Sequence, residues 1–398
     1  MTYDFTSIMN RSGMDALAVD GLGSGWAPDA PKEGFDAIPM WVADMNFPAC
    51  PTIPEAIIER TKHPHYGYFE PRAEYFDAII RWQETRNGVT GLTPECIGYE
   101  NGVLGGVVST LQAYAAPGDK VLLHYPTYIG FTGSVTNAGY TIVHSPLAKD
   151  EQGVWRMDFE DMDRKIKEHN IHVAIFCSPF NPCGRVWERW EIERAMEVYA
   201  ANDCVVISDE IWSDIIMPGH KHIPTQSVSE DAKHRVIAFY APSKTFSLAG
   251  LVGSYHIIYN DYLRHRVETQ GELTHYNEAN VLSMHGLIGG YRDGEEWVEQ
   301  MIQAIDENFD YACAFIRDKF PGVKLQRPQG TYMLYLDCGE YCREKGISID
   351  ELLAKGVRCG VIWQNGESFI WPDTIRVNLA LPKSRLAEAF ERLERYVF

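Results

Sequence analysis

Between residues 120 and 240 the chain repeats one pattern: a short apolar run, a polar turn, then a stretch with apolar residues at helical spacing. KVLLH, VAIFC, CVVIS and VIAFY show none of the polar alternation of a half-solvated strand. Runs of this kind are buried on both faces, as in a parallel sheet covered by helices. Strand, helix and strand in succession return the chain in the same direction, so an α/β domain with a mostly parallel sheet follows. Such a sheet binds ligands at the C-terminal ends of its strands.

Four of those ends carry chemistry. Tyr128 follows KVLLHYP, Asn181 follows VAIFCSPF, Asp209 closes CVVISD, and Lys244 follows VIAFY in APSKTFSLAG, with SYHII as a further strand beyond it. Each has an ordinary alternative. Asn181 before Pro182 is a good turn former, Asp209 and Glu210 suit a solvated strand edge, and a loop lysine is usually in water. Ala241, Pro242, Ser243, Ala249 and Gly250 leave little bulk around Lys244, however, so a flat group has room to lie against it. An amine desolvated there is a nucleophile able to form a Schiff base. An aromatic ring, an amide, an acid and an amine on four successive ends weaken the ordinary alternatives together more than singly.

The flanking segments add candidates. Residues 1–39 are rich in Gly, Asp and Pro and read as an extended arm. PMWVADMNFP sets Asp44 among apolar residues, where an acid is either paired or near a ligand. Helical spacing returns from Pro54 and again at Tyr75, Ile79 and Trp82, with the aromatic loop HYGYFEP, carrying Tyr66 and Tyr68, between them. In NGVLGG a glycine-bearing turn feeds a helix, whose first amides and positive dipole end suit a phosphate or simply need a cap. Past Asp293 a long helix (Val298, Ile302, Ile305, Phe309, Cys313, Ile316) leads into an α+β unit with strand-like TYMLYLD, VRCGVIW and TIRVNLALP and a closing amphipathic helix. Arg376 in IRVNLA faces either solvent or an anionic ligand. The expected division is an arm over 1–50 that belongs with the small domain, a large domain over 51–292 and a small domain over 293–398.

Composition removes whole classes of function. The 398 residues include 36 basic and 55 acidic ones, and the net charge of -19 repels nucleic acid and anionic membranes. Nine cysteines with no CxxC pair form neither a disulfide framework nor a zinc site, so no metal is expected and a reducing cytoplasm fits. MTYDFTSIMNRSG lacks a signal-peptide core, and no apolar run approaches the roughly 18 residues of a membrane span.

SPFNPCGRVW, ISDEIWSD and APSKTFSLAG, in this order, resemble the pyridoxal-phosphate enzymes of the aspartate aminotransferase fold (fold type I). WVADMNFP, HYGYFEP, NGVLGGV, PTYIGF and IRVNLALP look like the carbon–sulfur β-lyase subgroup, which includes cystalysin-like and cystathionine β-lyase-like proteins. The resemblance implies pyridoxal 5′-phosphate as cofactor, Lys244 as the lysine that carries it, Asp209 as partner of the pyridine nitrogen, Asn181 as donor to the phenolic oxygen, and Tyr128 stacked on the ring. It assigns the phosphate to the amides of Val103 and Leu104 and the Ser243 hydroxyl, with Tyr68 reaching it from the other subunit of a homodimer. Arg376, with Asn181 and Asp44, would bind the amino-acid substrate. Two places depart from the subgroup: Trp212 stands where the subgroup usually has histidine and many aminotransferases a tyrosine, and NGESFIWPDTIR replaces a glycine-rich loop. The implied activity is β-elimination on cystathionine or a cysteine S-conjugate, with aminotransfer as the alternative. Third comes a binding protein that has kept the fold without the activity.

Overall fold

A computed structural model describes residues 2–398, which form two compact units. The larger comprises 49–181 and 185–298, the smaller 1–48, 182–184 and 299–398. The chain therefore passes between units inside the helix Glu295–Lys319 rather than ahead of it, and the loop 182–184 is lent to the smaller unit.

The larger unit is built on eight strands: β1 (Ile97–Asn101), β2 (Lys120–Tyr125), β3 (Thr141–Lys149), β4 (Trp155–Met157), β5 (Val173–Cys177), β6 (Val205–Asp209), β7 (Val236–Tyr240) and β8 (Gly253–Ile257). Their order across the sheet is β1-β8-β7-β6-β5-β2-β3-β4. The five strands from β3 to β7 in that order are parallel, and β1, β8 and β4 pair antiparallel at the margins. Every residue of β5, β7 and β8 is buried, as unalternated apolar runs require. SYHII is thus a strand, but one that runs against its neighbour.

Connections from β2 to β3 and from β5 through β6 to β7 leave in opposite directions, so a crevice opens at the C-terminal ends of β2 and β5. Register sets Cys177, Asp209 and Phe239 side by side at that edge. The helix Val103–Tyr114 lies against this part of the sheet, close enough that a Cβ on Gly106 would stand 2.4 Å from the Phe239 ring. Only glycine allows that approach.

In the smaller unit a four-stranded antiparallel sheet runs in the order Lys324–Leu325, Met333–Asp337, Thr374–Asn378, Gln364–Asn365. The expected apolar stripe of Glu295–Lys319 is buried at Val298, Ile302, Ile305, Phe309, Cys313 and Ile316, and the closing helix Lys383–Tyr396 buries Leu386, Ala389, Phe390 and Leu393. Two local expectations are corrected and a third is narrowed. Residues 1–39 hold a short helix, Leu17–Asp20, and Ile38–Pro39 pairs parallel with Val361–Ile362, so the arm is in part tied down. In VRCGVIW, Val357 and Arg358 end the helix Ile349–Arg358, whose capping box (Ser348, Glu351) fixes its start. The strand carrying Arg376 is buried throughout, which removes the solvent-facing alternative for its guanidinium.

All nine cysteines are free thiols, and among the described residues no cluster suits a metal and no helix is long and apolar enough to cross a membrane.

Candidate active site

Asp209 ends β6 with its side chain 4% exposed, accepting one backbone N–H, from Ile211 at 3.0 Å. Burial pushes its carboxyl up to about 7, against the pull of that N–H and of the Lys244 charge, while the neighbouring Glu210 pushes it further up. A carboxyl so placed gains most from a cationic partner that enters the site without water.

Glu210 is different. Also fully buried, it accepts from His222 Nε2 at 2.8 Å, the Tyr240 hydroxyl at 2.7 Å, the Ser208 hydroxyl at 2.9 Å and the Thr225 amide at 3.1 Å. Burial raises its carboxyl, but these donors outweigh burial and hold it below the ordinary range. One acid of the pair is thus committed to structure and the other is left for chemistry. Neither forms the solvated strand edge that the sequence also allowed.

Lys244 lies on the single turn Pro242–Thr245 that follows β7, half-buried, with Nζ 5.7 Å from the centre of the Trp212 indole. Trp212 is itself 2% exposed. An ammonium over a buried indole gains cation–π attraction, and the indole covers one side of the amine against water. Ser243 precedes it, also half-buried.

The helix Val103–Tyr114 begins at Gly102, whose φ of 81° suits glycine and which has no side chain to cap the first amides. Val103 and Leu104, the first two helical residues, therefore present amides at the positive end of the helix dipole, the arrangement that binds phosphate. Tyr128 caps the helix Ile129–Asn137, and its ring meets Phe131 edge-on at 5.4 Å. Asn181, 3% exposed, opens the turn 181–184 that follows β5. These ends offer a buried acid, an amine over an indole, an aromatic face, an amide and a row of helix amides. Such a set fits a flat aromatic group with a ring nitrogen, a carbonyl and an anionic tail.

Tyr68 stands apart from these ends, on the loop between the helices Thr52–Thr61 and Ala73–Asn87, with its ring fully exposed. In the smaller unit Arg376 is 3% exposed, donates to the Trp41 carbonyl at 3.1 Å and to Gln364 Oε1, and lies 4.6 Å from the centre of the Phe369 ring. Asn378, two residues on, holds the carbonyls of Val42 and Asp44, so the segment WVAD runs beside the Arg376 strand. The Asp44 carboxylate is paired with Arg11 at 2.6 Å, the first of the two alternatives that its surroundings allowed.

Sequence reasoning missed the residues that brace these groups. Asp214 and Thr245 are two of them, although ISDEIWSD and SKTF place each within a few positions of a candidate. Nothing in a single sequence says that these two side chains meet.

The family model for aminotransferase class I and II matches residues 42–393. The chain belongs to this family. Among the members it resembles, cystathionine beta-lyase PatB of Bacillus subtilis is 34% identical over 335 residues, covering 84% of this chain and 85% of that one. The solved pyridoxal-phosphate-bound C–S lyase of Staphylococcus hominis is 30% identical with a TM-score of 0.90, covering 100% of this chain and 98% of that one. Cystalysin of Treponema denticola, whose structure contains pyridoxal 5′-phosphate, is 28% identical with a TM-score of 0.91 over 99% of this chain and 98% of its own.

Proposed function

We propose that this chain is a pyridoxal-phosphate-dependent carbon–sulfur β-lyase that cleaves cystathionine or cysteine S-conjugates to pyruvate, ammonia and a thiol. The observation that carries the proposal is the 34% identity to a cystathionine beta-lyase over 84% of this chain. The chemistry of the strand ends supports the cofactor.

When bound, pyridoxal 5′-phosphate supplies an electron sink for the charge left on the substrate α-carbon. Asp209 would face the ring nitrogen with a buried carboxyl group and favour its protonated form. Asn181 would donate to the phenolic oxygen, Tyr128 would stack on the ring, and Val103, Leu104 and Ser243 would hold the phosphate. Arg376, with Asn181, binds the α-carboxylate in a two-point fork, which orients the Cα–H bond. Lys244 would take the Cα proton as general base. The electron pair left on Cα would then form a Cα=Cβ double bond as the Cβ–S bond breaks with its own pair on sulfur, and Lys244 would return a proton to the departing thiolate. Water hydrolyses the remaining three-carbon fragment to pyruvate and ammonia.

The enzyme works as a homodimer in which Tyr68 reaches the phosphate in the partner subunit's site; its fully exposed ring supports this assignment. A cytoplasmic location agrees with nine free thiols. Aminotransfer is the second possibility, favoured by one observation: the family model that the chain matches over residues 42–393 is that of the class I and II aminotransferases. Purified protein given cystathionine, cysteine and several S-alkyl cysteines, with and without a keto acid, separates the two. Pyruvate formed without acceptor supports the lyase; transfer to 2-oxoglutarate alone supports the aminotransferase.

A further inference from the structure

The turn that carries Lys244 is braced by a buried carboxylate. Asp214 is 5% exposed and accepts the Trp82 indole N–H at 3.0 Å on one oxygen and the Thr245 hydroxyl at 2.7 Å on the other. The Arg86 guanidinium, 3.5 Å from the first oxygen and 5.2 Å from the centre of the Trp82 ring, compensates the buried charge. Thr245 is fully buried and follows Lys244 directly. Phe246, next in line, is also fully buried, 5.8 Å from Trp82 and 5.7 Å from Trp297 between ring centres. Asp214 belongs to the same short segment as Asp209 and Trp212. That segment therefore meets the lysine twice: at its tip through the Trp212 indole, and at its root through Asp214 and Thr245.

We propose that Asp214, acting through the Thr245 hydroxyl, is the positioning group that sets where the Lys244 amine stands; this rests on Lys244 being the cofactor-bearing lysine. Neither side chain is required to touch substrate. A β-branched residue has few χ1 choices, so a short bond from its hydroxyl to a charged oxygen fixes the backbone on which Lys244 is mounted. The bond also couples that turn to the strand end that supplies Asp209. Displacing a reacting group by 1 Å costs about 10²-fold in rate, so such a brace matters beyond folding.

The test compares Thr245→Val, which keeps the shape and loses the donor, with Thr245→Ser, which keeps the donor. On cofactor-loaded protein one measures the pH midpoint of the long-wavelength absorbance of the lysine-linked cofactor, kcat and KM with cystathionine, and the urea midpoint. Thr245→Val is expected to move the absorbance midpoint by about 0.5 unit or more and to lower kcat roughly 10- to 100-fold with little change in KM. Thr245→Ser should restore both. A Thr245→Val protein that keeps the native absorbance midpoint overturns the proposal, whether or not its urea midpoint falls, and so does failure of serine to restore the midpoint. If the native protein shows the absorbance but yields no pyruvate, the lyase assignment fails, while the absorbance comparison still decides the role of Asp214.

Discussion

Replacing Asp209 by asparagine should stabilise the cofactor-free protein at alkaline pH while abolishing most turnover. The carboxyl moves from an ordinary value of 3.8 to about 7 on folding because it is buried with one backbone donor. An unfolded chain thus releases this proton near pH 4 and the folded chain near pH 7, so the folded state binds more protons between them. Wild-type stability contributed by this group therefore falls as pH rises through that window, with the loss complete above the folded value. At 1.36 kcal/mol per pKa unit the full span is about 4 kcal/mol, of which about 2–3 kcal/mol separates pH 5 from pH 8. Asparagine cannot ionise, and its carbonyl oxygen can still accept the Ile211 amide. Urea unfolding of cofactor-free wild type and variant, at one protein concentration and at both pH values, reads the difference. The variant's advantage should grow by about 2–3 kcal/mol from pH 5 to pH 8, while turnover of the cofactor-loaded variant drops roughly 10²- to 10³-fold. An advantage equal at the two pH values would mean that Asp209 is ionised and satisfied without a cationic partner, and the case for a ring nitrogen beside it would collapse.

Other substitutions probe the remaining assignments. Lys244→Ala should abolish the long-wavelength absorbance and leave the cofactor removable by gel filtration; borohydride trapping of cofactor on a different lysine of the native protein would contradict this. Arg376→Lys should raise KM for cystathionine about 10- to 100-fold, since an ammonium cannot replace the two-point fork, and an unchanged KM would remove Arg376 from the substrate site. Tyr68→Phe should weaken binding of pyridoxal 5′-phosphate but not of pyridoxal, and sedimentation should find a dimer; a fully active monomer would contradict the shared site.

The larger unit was legible because its signal is local. VAIFC and VIAFY lack the alternation of half-exposed strands, and both are buried at every position. Strands such as Thr141–Lys149, with mixed composition, gave no such sign, and the antiparallel run of Gly253–Ile257 is decided by where the chain returns rather than by its residues. In the smaller unit VRCGVIW was misread because the apolar face of a helix end abuts a two-residue strand. Among the candidates, Lys244, Asp209, Asn181 and Tyr128 stand out in the sequence by their places after apolar runs. Their electrostatic roles do not. Asp209 and Glu210 are adjacent acids, yet only the fold gives Glu210 its donors from His222, Ser208, Thr225 and Tyr240 and leaves Asp209 with a single backbone amide. The bracing of Lys244 by Asp214 likewise depends on a contact across 31 positions of sequence.

The central claim is carbon–sulfur bond cleavage without an amino acceptor. The most direct measurement follows thiol and pyruvate together after pure, cofactor-loaded protein meets cystathionine with no keto acid present. The two products should rise in step, in equal amounts, and Lys244→Ala should produce neither. Amino-group transfer to added 2-oxoglutarate, with no acceptor-independent pyruvate from cystathionine or any S-alkyl cysteine, would contradict the account and make the protein an aminotransferase.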